Sequence, residues 1–530
     1  MLNSKSLFLT ICIASLGNAA ENQATITDTG SVHFDANNIH AWILNDGSLV
    51  SHKPTGNAGL EWPAGSGYTA VFTGGLWIVA GKIDGANVIR TACAEYSSEF
   101  VPGRLNVSTS KTGPFSIHTG DTSADPDWVN WPVELGAPWY DVNANGEYEP
   151  EIDRPLTKGN QFIWYSMNDG GDHHNHLFGT DSMGLDISTA VYGYNDRGDA
   201  LNNTIFYEWN IRNAGVHELD SVFLALWMDP DIGDATDDYG GYDRNLQMGY
   251  AYNGTGSDTQ YGSTPPAVGV LFLQTPVVSS VDDTAYTYQQ GIIPDHKNLD
   301  VTSCLVWRCA GPLCSPENPA EVFYQLNGLD NDGLPILNPD SIESKFMFDG
   351  DPVTGEGWTE ARAEISPGDR YLLMSVGPFS LSPEESQDIA AALVIEKGTN
   401  ELDAITQLGR SAASGRDAWN DGLNTILVSR EDEFQIHPRI NELGKAFPNP
   451  FNASTTISYT LNQKADIRFQ LYDITGSEVA HWEFPNLLPG QYTLSWDGQS
   501  LHGDEQPSGI YILTMFGEGI QESVKMTLLK

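Results

Sequence analysis

Apolar and polar residues alternate through most of the chain, and this pattern predicts strands rather than helices. In the segment TIFYEWNIRN every second residue is apolar, namely Ile205, Tyr207, Trp209 and Ile211. Successive side chains of a strand point to opposite faces, so the segment is predicted to have one buried face. Comparable runs, LDISTAVYGYN before it and LDSVFLALWMD after it, indicate an antiparallel β-sandwich.

A tight hairpin is predicted nearer the start of the chain. In GLWIVAGKIDGANVIRTACAEY the pair Asp84 and Gly85 separates two apolar runs. Asp-Gly between β-rich runs is a strong hairpin signal, because both residues tolerate the backbone of a two-residue turn. We therefore expect an N-terminal β region over residues 21–130, followed by a β-sandwich body over residues 131–427.

One segment has a convincing helical period, between residues 399 and 420. Either Thr399 or Asn400 can cap the start of this helix, which we expect to pack on the sandwich. Residues 428–445 have no sustained period and are predicted to be a linker. The predicted fold class is mainly β, with multi-domain β-sandwiches and one notable helix. The apolar residues at helical spacing are Leu402, Ile405, Leu408 and Ala412.

Residues 446–530 are predicted to form a compact all-β module. Segments such as STTISYTL, ADIRFQLYD and GQYTLSWDG recur with turns such as DITGSE and LLPGQ between them. Strands at this spacing, about seven in all, are typical of an immunoglobulin-like sandwich.

The motifs of this module also occur in a characteristic order: AFPNPFNASTTISYTL, LYDITGSEV, LPGQYTLSWDG, SGIYIL and KMTLLK. In this order they resemble the C-terminal sorting domain of type IX secretion, which is similar to the immunoglobulin-like domain of the flagellar hook-capping protein. Ala453 departs from the pattern, since these domains often carry proline after PNPFN. The resemblance implies passage through the type IX secretion machinery, then release or attachment to surface lipopolysaccharide.

Other segments of the sequence indicate where in the cell the protein is located. Residues 1–20 have the parts of a secretory signal peptide: Lys5, an apolar run from Leu7 to Leu16, and small residues at the end. No later segment approaches about 18 apolar residues, so we expect a mature chain without a transmembrane segment, extracellular or on the outer cell surface. Body segments such as LWMDPDIGDATDDYGGYD resemble uncharacterised surface proteins that carry the same sorting domain, which implies a location but no activity.

The charge of the chain restricts its partners. The formal net charge is −44, and loss of Lys5 with the signal peptide makes it one unit more negative. Such a field repels phosphate backbones and anionic lipids, so it disfavours binding to nucleic acids and to membrane surfaces, whereas divalent cations are natural counter-charges. The alternative is that the acidic surface only keeps an exported protein soluble.

A calcium loop is predicted within YDVNANGEYEPEID. Oxygen-bearing side chains occupy loop positions 1, 3 and 5, and Gly146 allows the sharp turn, as Ca²⁺ with its many oxygen ligands requires. Ile152 stands where an EF-hand has glutamate, so Asp153 or Glu149 would have to replace it, and a plain polar turn is the alternative. The candidate ligands are Asp141, Asn143, Asn145, Glu147, Glu149 and Asp153.

A second acidic segment, WMDPDIGDATDDYGGYD, follows a predicted strand directly. Carboxylates this dense repel one another unless cations intervene or the loop is solvated. We predict calcium here too, with a solvated loop or a catalytic carboxylate pair as alternatives; LDNDGLPILNPD, with Asp330, Asp332 and Asp340, is a weaker candidate. The candidate ligands are Asp229, Asp231, Asp234, Asp237 and Asp238.

Histidine and cysteine offer two further possibilities. In GGDHHNH, Asp172, His174 and His176 could share one transition metal, unless the segment is a solvated loop. The four cysteines of the mature chain are expected to form disulfides in an exported protein, with the pairing open and a metal site as the alternative. These cysteines are Cys93, Cys304, Cys309 and Cys314.

These observations favour a calcium-stabilised adhesion or structural protein. The chain has no G-x-S-x-G, H-E-x-x-H or Walker motif, so the sequence assigns no catalytic residue and favours a non-enzyme. The alternatives are a secreted hydrolase or a carbohydrate-binding protein acting on extracellular polymers, and an extracellular glycan is a possible partner in either case.

Overall fold

The computed structural model describes residues 30–529, apart from positions 54, 110, 172–176, 196–199, 288–290, 309–310, 421–441, 453, 462–464, 488–489, 501–504 and 518–519. The predicted signal peptide, the GGDHHNH histidines, Cys309 and most of the predicted linker lie outside the described residues. Within them the chain is mainly β, as predicted.

The strands follow one another along the chain as β1 (Ser31–Phe34), β2 (His40–Leu44), β3 (Ser48–Val50), β4 (Leu60–Glu61), β5 (Thr69–Val71), β6 (Thr73–Ile83), β7 (Arg90–Cys93), β8 (Val101–Pro102), β9 (Phe115–His118), β10 (Trp139–Tyr140), β11 (Arg154–Pro155), β12 (Gln161–Asn168), β13 (Leu185–Gly193), β14 (Thr204–Asn213), β15 (Leu219–Asp229), β16 (Asp238–Asp243), β17 (Met248–Asn253), β18 (Pro266–Gln274), β19 (Val277–Thr287), β20 (Gly291–Asn298), β21 (Val301–Trp307), β22 (Tyr371–Leu381), β23 (Ser386–Lys397), β24 (Glu442–Phe447), β25 (Thr455–Leu461), β26 (Ala465–Asp473), β27 (Glu478–Leu487), β28 (Gly490–Trp496), β29 (Gly509–Gly517) and β30 (Ile520–Leu528).

Helices are few among the described residues. They are α1 (Pro126–Val129), α2 (Pro319–Leu326) and α3 (Glu401–Asn420), with single 3-10 turns at Val133–Leu135, Leu201–Asn203 and Ala235–Asp237. None of the described helices is both long and apolar enough to cross a bilayer.

The described residues divide into two compact units. The first comprises residues 30–116, 130–139 and 161–420, and the second residues 117–129, 140–160 and 442–529. In the first unit, strands from both sides of position 130 share one sheet, because β6 pairs with β15. In the second, β24 starts at Glu442, within the last residues of the predicted linker.

Two large antiparallel sheets form the first unit. One has the order β16-β17-β18-β23-β14-β13-β12-β8, with β9 also on β12, and the other has the order β21-β22-β15-β6-β3, with β7 also on β6. The predicted apolar face of β14 lies in the core that both sheets share. The alternation in TIFYEWNIRN therefore predicted the buried face correctly. Smaller sheets, β1-β2-β4-β5 and β19-β20, complete the unit.

Helix α3 packs on the outer face of the nine-stranded sheet, against β23, β18 and β17. On β23, Ile389 and Leu393 face the shared core, whereas the small buried residues Ala390 and Ala392 alternate with them. Small side chains on that second face let the helix approach the sheet closely. Asn400 caps the helix, accepting the backbone N–H of Asp403 at 2.9 Å, so the predicted helix and its cap are confirmed.

The predicted Asp-Gly hairpin joins β6 to β7. Asp84 and Gly85 both have positive φ, 49° and 76°, which is the backbone of a type I′ turn.

Helix α2 packs on the sheet that contains β6, where it contacts β22, β15, β21 and β6. Asn318 caps that helix and Pro319 occupies its first turn.

The disulfide prediction is wrong for the described cysteines. Cys93 lies in β7 and Cys304 in β21; both are fully buried, and both are free thiols, as is Cys314. Burial raises the pKa of the Cys93 thiol well above its usual range. The two buried cysteines therefore serve as small core residues, which thiols pack well enough to do.

In the second unit, residues 442–529 form the predicted sandwich. Seven strands make sheets of three, β24-β25-β28, and four, β27-β26-β29-β30. Ile457 and Phe469, from different sheets, lie in one core that also contains Trp496 and Leu513.

Candidate cation site at the edge of the six-stranded sheet

Three aspartates meet at one edge of the six-stranded sheet, where two of its inner strands end and begin. Asp229 is the last residue of β15, Asp231 follows two residues later, and Asp369 precedes β22. Because β15 and β22 are antiparallel, with Met228 opposite Leu372, the end of one lies beside the start of the other. One carboxylate oxygen from each aspartate lies within 4.8 Å of the others. We call these residues the carboxylate cluster.

Asp229 forms the floor of the cluster. Asp229 is 3% exposed, and its Oδ2 accepts the Tyr96 hydroxyl at 2.7 Å, whereas no N–H or hydroxyl group of the described residues donates to its Oδ1. A buried carboxylate oxygen lowers the stability of the folded state unless a hydrogen-bond donor or a cation contacts it. Asp231 is half-buried and Asp369 is exposed, so the cluster opens to solvent on one side.

The two tyrosines that contact the cluster hold its geometry. Tyr371 donates its hydroxyl to Asp369 Oδ2 at 3.1 Å, and Tyr96 donates to Asp229. Both tyrosine rings contact Trp227, which stacks on Tyr371 and meets Tyr96 edge to face. The carboxylates are therefore oriented by side chains that are themselves packed.

Burial and mutual repulsion favour the protonated forms of these aspartates. Burial, followed by the charge of Asp231, raises the pKa of Asp229 well above its usual range. Burial, followed by the charge of Asp369, raises the pKa of Asp231 to about 7. Burial also raises the pKa of Asp369. A bound cation would remove this penalty, because opposite charge favours the ionised form.

The other predicted ligands of this segment do not join the cluster. Asp234 accepts the backbone N–H of Thr236 at 3.0 Å, and Asp237 accepts the side-chain amide of Asn253 at 2.8 Å. Asp238 is 1% exposed; its Oδ2 accepts the Ile232 N–H, and its Oδ1 accepts no hydrogen bond from the part of the chain that the structure describes. Of the five predicted residues, the structure therefore brings Asp229 and Asp231 together and adds Asp369.

A buried ion pair positions Asp369. The neighbouring Arg370 donates from Nη2 to Glu360 Oε2 at 2.7 Å and from Nε to both carboxylate oxygens. Arg370 is 5% exposed and Glu360 fully buried. Glu360 also accepts the Gly240 N–H at 2.9 Å, from β16 of the other sheet. This pair fixes the backbone just before β22, where Asp369 lies.

The predicted calcium loop, residues 141–153, belongs to the second unit. Asp141 accepts the N–H groups of Asn145 and Gly146, and Asn145 accepts that of Glu147. Asp153, which is 1% exposed, accepts Val142 N–H at 2.9 Å and Glu149 N–H at 2.7 Å.

The side chains within this loop also bond to one another. Glu149 Oε2 accepts the side-chain amides of Asn143 and Asn145 at 2.7 and 2.8 Å. Ile152 is exposed, so Asp153 and Glu149 rather than the twelfth residue turn into the loop. The weaker candidate around Asp330 is a turn, in which Asp330 Oδ1 accepts the N–H groups of Asp332 and Leu334.

Two glutamates after β7 titrate near neutrality, which the sequence did not suggest. Glu99 is fully buried and accepts Cys93 N–H at 3.0 Å. Burial raises its pKa to about 7, and burial and the charge of Glu99 raise the pKa of Glu95 to about 7 as well.

Replacing Glu99 with glutamine is expected to flatten the pH dependence of stability. The folded state keeps the Glu99 proton up to about pH 7, whereas an unperturbed glutamate releases it near 4.5. Between these values the folded state binds more protons, so stability falls as pH rises, and the fall ends above the folded pKa. Melting temperatures from about pH 4.5 to 7.5 should therefore fall less steeply in Glu99→Gln than in wild type. The exposed control Glu317→Gln should keep the wild-type slope; equal slopes in all three proteins would contradict the assignment.

No family model and no curated protein matches the chain. Solved structures similar to it include FlgD from Pseudomonas aeruginosa, at 17% identity over 18% of this chain and 75% of that one, with a TM-score of 0.13. Dimeric latent PorU from Porphyromonas gingivalis is 11% identical over 70% of this chain and 31% of PorU, with a TM-score of 0.17.

PorZ, an essential surface component of the type IX secretion system of the same bacterium, is 12% identical over 74% of this chain and 47% of PorZ, with a TM-score of 0.13. The chain thus spans about a third of the length of PorU and under half of PorZ.

Proposed function

We propose that this chain is an exported β-sandwich protein of the cell surface or the surrounding medium, stabilised by calcium and used in adhesion or structure. Residues 446–530 act as its address for the type IX secretion machinery, as their motifs imply. Calcium binds at the carboxylate cluster of the first unit and at residues 141–153 of the second.

The buried Oδ1 of Asp229 carries the calcium proposal. Among the described residues no N–H or hydroxyl group donates to it, and its neighbours in the cluster are themselves carboxylates. A divalent cation would both satisfy it and neutralise the repulsion. Hard oxygen ligands, with no histidine or thiol among the three, suit Ca²⁺ better than zinc or copper. The Asp141–Asp153 loop supports the same proposal, since Asp141 and Asp153 turn their carboxylates inward onto N–H groups of the loop, where oxygen ligands of Ca²⁺ would have to lie.

Calcium is expected to raise the melting temperature of the mature chain, and Asp229→Asn is expected to remove part of that rise. A ligand that binds only the folded state stabilises it by about 2.7 kcal/mol at a hundred times its Kd. Asp229→Asn takes a negative charge from the cluster, whereas Asp153→Asn should remove the part contributed by the second unit. Differential scanning calorimetry with calcium and with a chelator measures both.

Without calcium the order of stability should change. Asp229→Asn should then be at least as stable as wild type. On folding, the wild-type aspartate must either bind a proton or bury its charge beside Asp231, whereas asparagine is neutral in both states. Once calcium is added, Asp229→Asn should be less stable than wild type. The exposed control Glu317→Gln should respond as wild type does. Melting temperatures that do not change between calcium and chelator would overturn the proposal.

A further inference from the structure

The carboxylate cluster leaves part of the coordination shell of calcium open. Oδ2 of Asp229 accepts the Tyr96 hydroxyl, so the three carboxylates supply at most about five further oxygens, whereas Ca²⁺ takes about six to eight. Asp229 lies at the buried floor, and Asp369 is exposed. The remaining coordination positions of a bound cation would therefore face solvent, where water or the oxygens of a ligand can occupy them.

An exposed aromatic residue is bonded to the same cluster. The Tyr96 residue is 51% exposed, although its hydroxyl is held by Asp229 at 2.7 Å. Trp227 packs against the ring edge to face at 5.4 Å, and Phe72 lies at 6.1 Å. The ring is thus fixed at its polar end and packed on one side, and it offers apolar surface to solvent, as aromatic residues at recognition sites do.

The charge of the site selects the kind of ligand. Three ionised carboxylates around one divalent cation leave about one negative charge, and the whole chain carries −44. Both repel carboxylate, sulfate and phosphate groups. Neutral hydroxyl oxygens can complete the coordination shell without this penalty, and a sugar ring presents adjacent hydroxyls together with an apolar face of C–H groups.

We propose that the carboxylate cluster, with its calcium, is a binding site for neutral glycans. Two adjacent hydroxyls of a sugar coordinate the cation, and Tyr96 packs against the apolar face of the ring. This inference rests on the calcium site proposed above and adds the ligand class. Tyr96 is a binding residue here, and Asp229 is both a cation ligand and the acceptor that orients Tyr96.

Binding of the full mature chain to immobilised mannan, dextran and galactomannan tests the proposal. At least one of them should be bound in calcium and released by a chelator. The same polysaccharide after periodate cleavage and reduction, which destroys adjacent hydroxyl pairs, should not be bound. Tyr96→Ala should weaken the apparent Kd by about tenfold or more, as expected for loss of an aromatic anchor, and Tyr96→Phe, which keeps the ring, should weaken it less.

Calorimetry on the same proteins separates the two proposals. Tyr96→Ala and Tyr96→Phe both lose the hydroxyl bond to Asp229, so the two variants should show the same calcium-dependent rise in melting temperature. Glycan binding should nevertheless be weaker in Tyr96→Ala, which also lacks the ring, whereas Asp229→Asn should lose both the calcium shift and glycan binding. A calcium shift that depends on Asp229, with none of the neutral glycans bound, would overturn the glycan inference and leave the calcium proposal standing. Tighter binding of anionic polygalacturonate than of every neutral glycan would overturn the assigned ligand class. No calcium shift would overturn both.

Discussion

Replacing Glu360 with alanine is expected to lower the free energy of unfolding of the first unit by about 3–5 kcal/mol, the usual cost of leaving a buried charge without its partner. Glu360 is fully buried and receives three hydrogen-bond contacts from Arg370, itself 5% exposed. Arg370 would keep the backbone carbonyls of Asp369 and Ser366 as acceptors, but would lose its counter-charge.

Urea denaturation, monitored by tryptophan fluorescence, measures this decrease in the free energy of unfolding. Glu360→Gln, which keeps an acceptor and removes only the charge, should lower the free energy of unfolding less than Glu360→Ala does. The double variant Glu360→Ala, Arg370→Ala should cost less than the two single losses added together, because the second change removes the unpaired charge. Additive losses would mean that the two side chains do not act as a pair.

The same substitution should also weaken calcium stabilisation. Arg370 follows Asp369 directly, and its bonds to Glu360 fix the start of β22. A looser start would misplace one of the three carboxylates. An unchanged calcium-dependent shift in Glu360→Ala would show that Asp369 is placed independently of the ion pair.

Deleting residues 446–530 is expected to abolish delivery to the cell surface while leaving the first unit folded. These residues carry the motifs that resemble the sorting domain, and the structure gives them a core of their own. In a bacterium with type IX secretion machinery, the tagged full chain should be cleaved by protease added to intact cells or be found in the medium. The truncated chain should stay between the membranes.

Three controls make this result specific. A strain that lacks the translocon should retain the full chain as well, and the truncated chain, purified, should show the melting transition of the first unit. Attaching residues 446–530 to an unrelated folded protein with a signal peptide should deliver that protein. Surface delivery of the truncated chain would contradict the proposed address.

Local patterns predicted the elements of the fold well. The alternation in TIFYEWNIRN marked the buried face of β14, Asp84 and Gly85 marked a hairpin turn, and Asn400 marked the start of α3. Each of these depends on residues close together in the chain, where backbone geometry and burial follow directly from residue type. The seven strands of residues 442–529 were predicted for the same reason.

The candidate site was predicted only in part, because its third residue depends on strand pairing. Asp229 and Asp231 stood out in an acidic segment, but Asp369 is far along the chain and reaches them through the pairing of β15 with β22. Its position just before the apolar run YLLMSV was the only local signal. Conversely, Asp234 and Asp237 looked equivalent to Asp229 in sequence, yet they bond to nearby N–H groups of Thr236 and Asn253.

The origin of the carboxylates in distant strands also sets when each proposed site can exist. Residues 141–153 form a short continuous loop, which closes at little entropic cost and needs no distant segment. The carboxylate cluster exists only after β15 and β22 have paired, so it cannot draw calcium to an unfolded chain. Calcium there would stabilise only a first unit that has already folded. A protein that folds where calcium is scarce would therefore reach its full stability against unfolding only in a calcium-rich exterior.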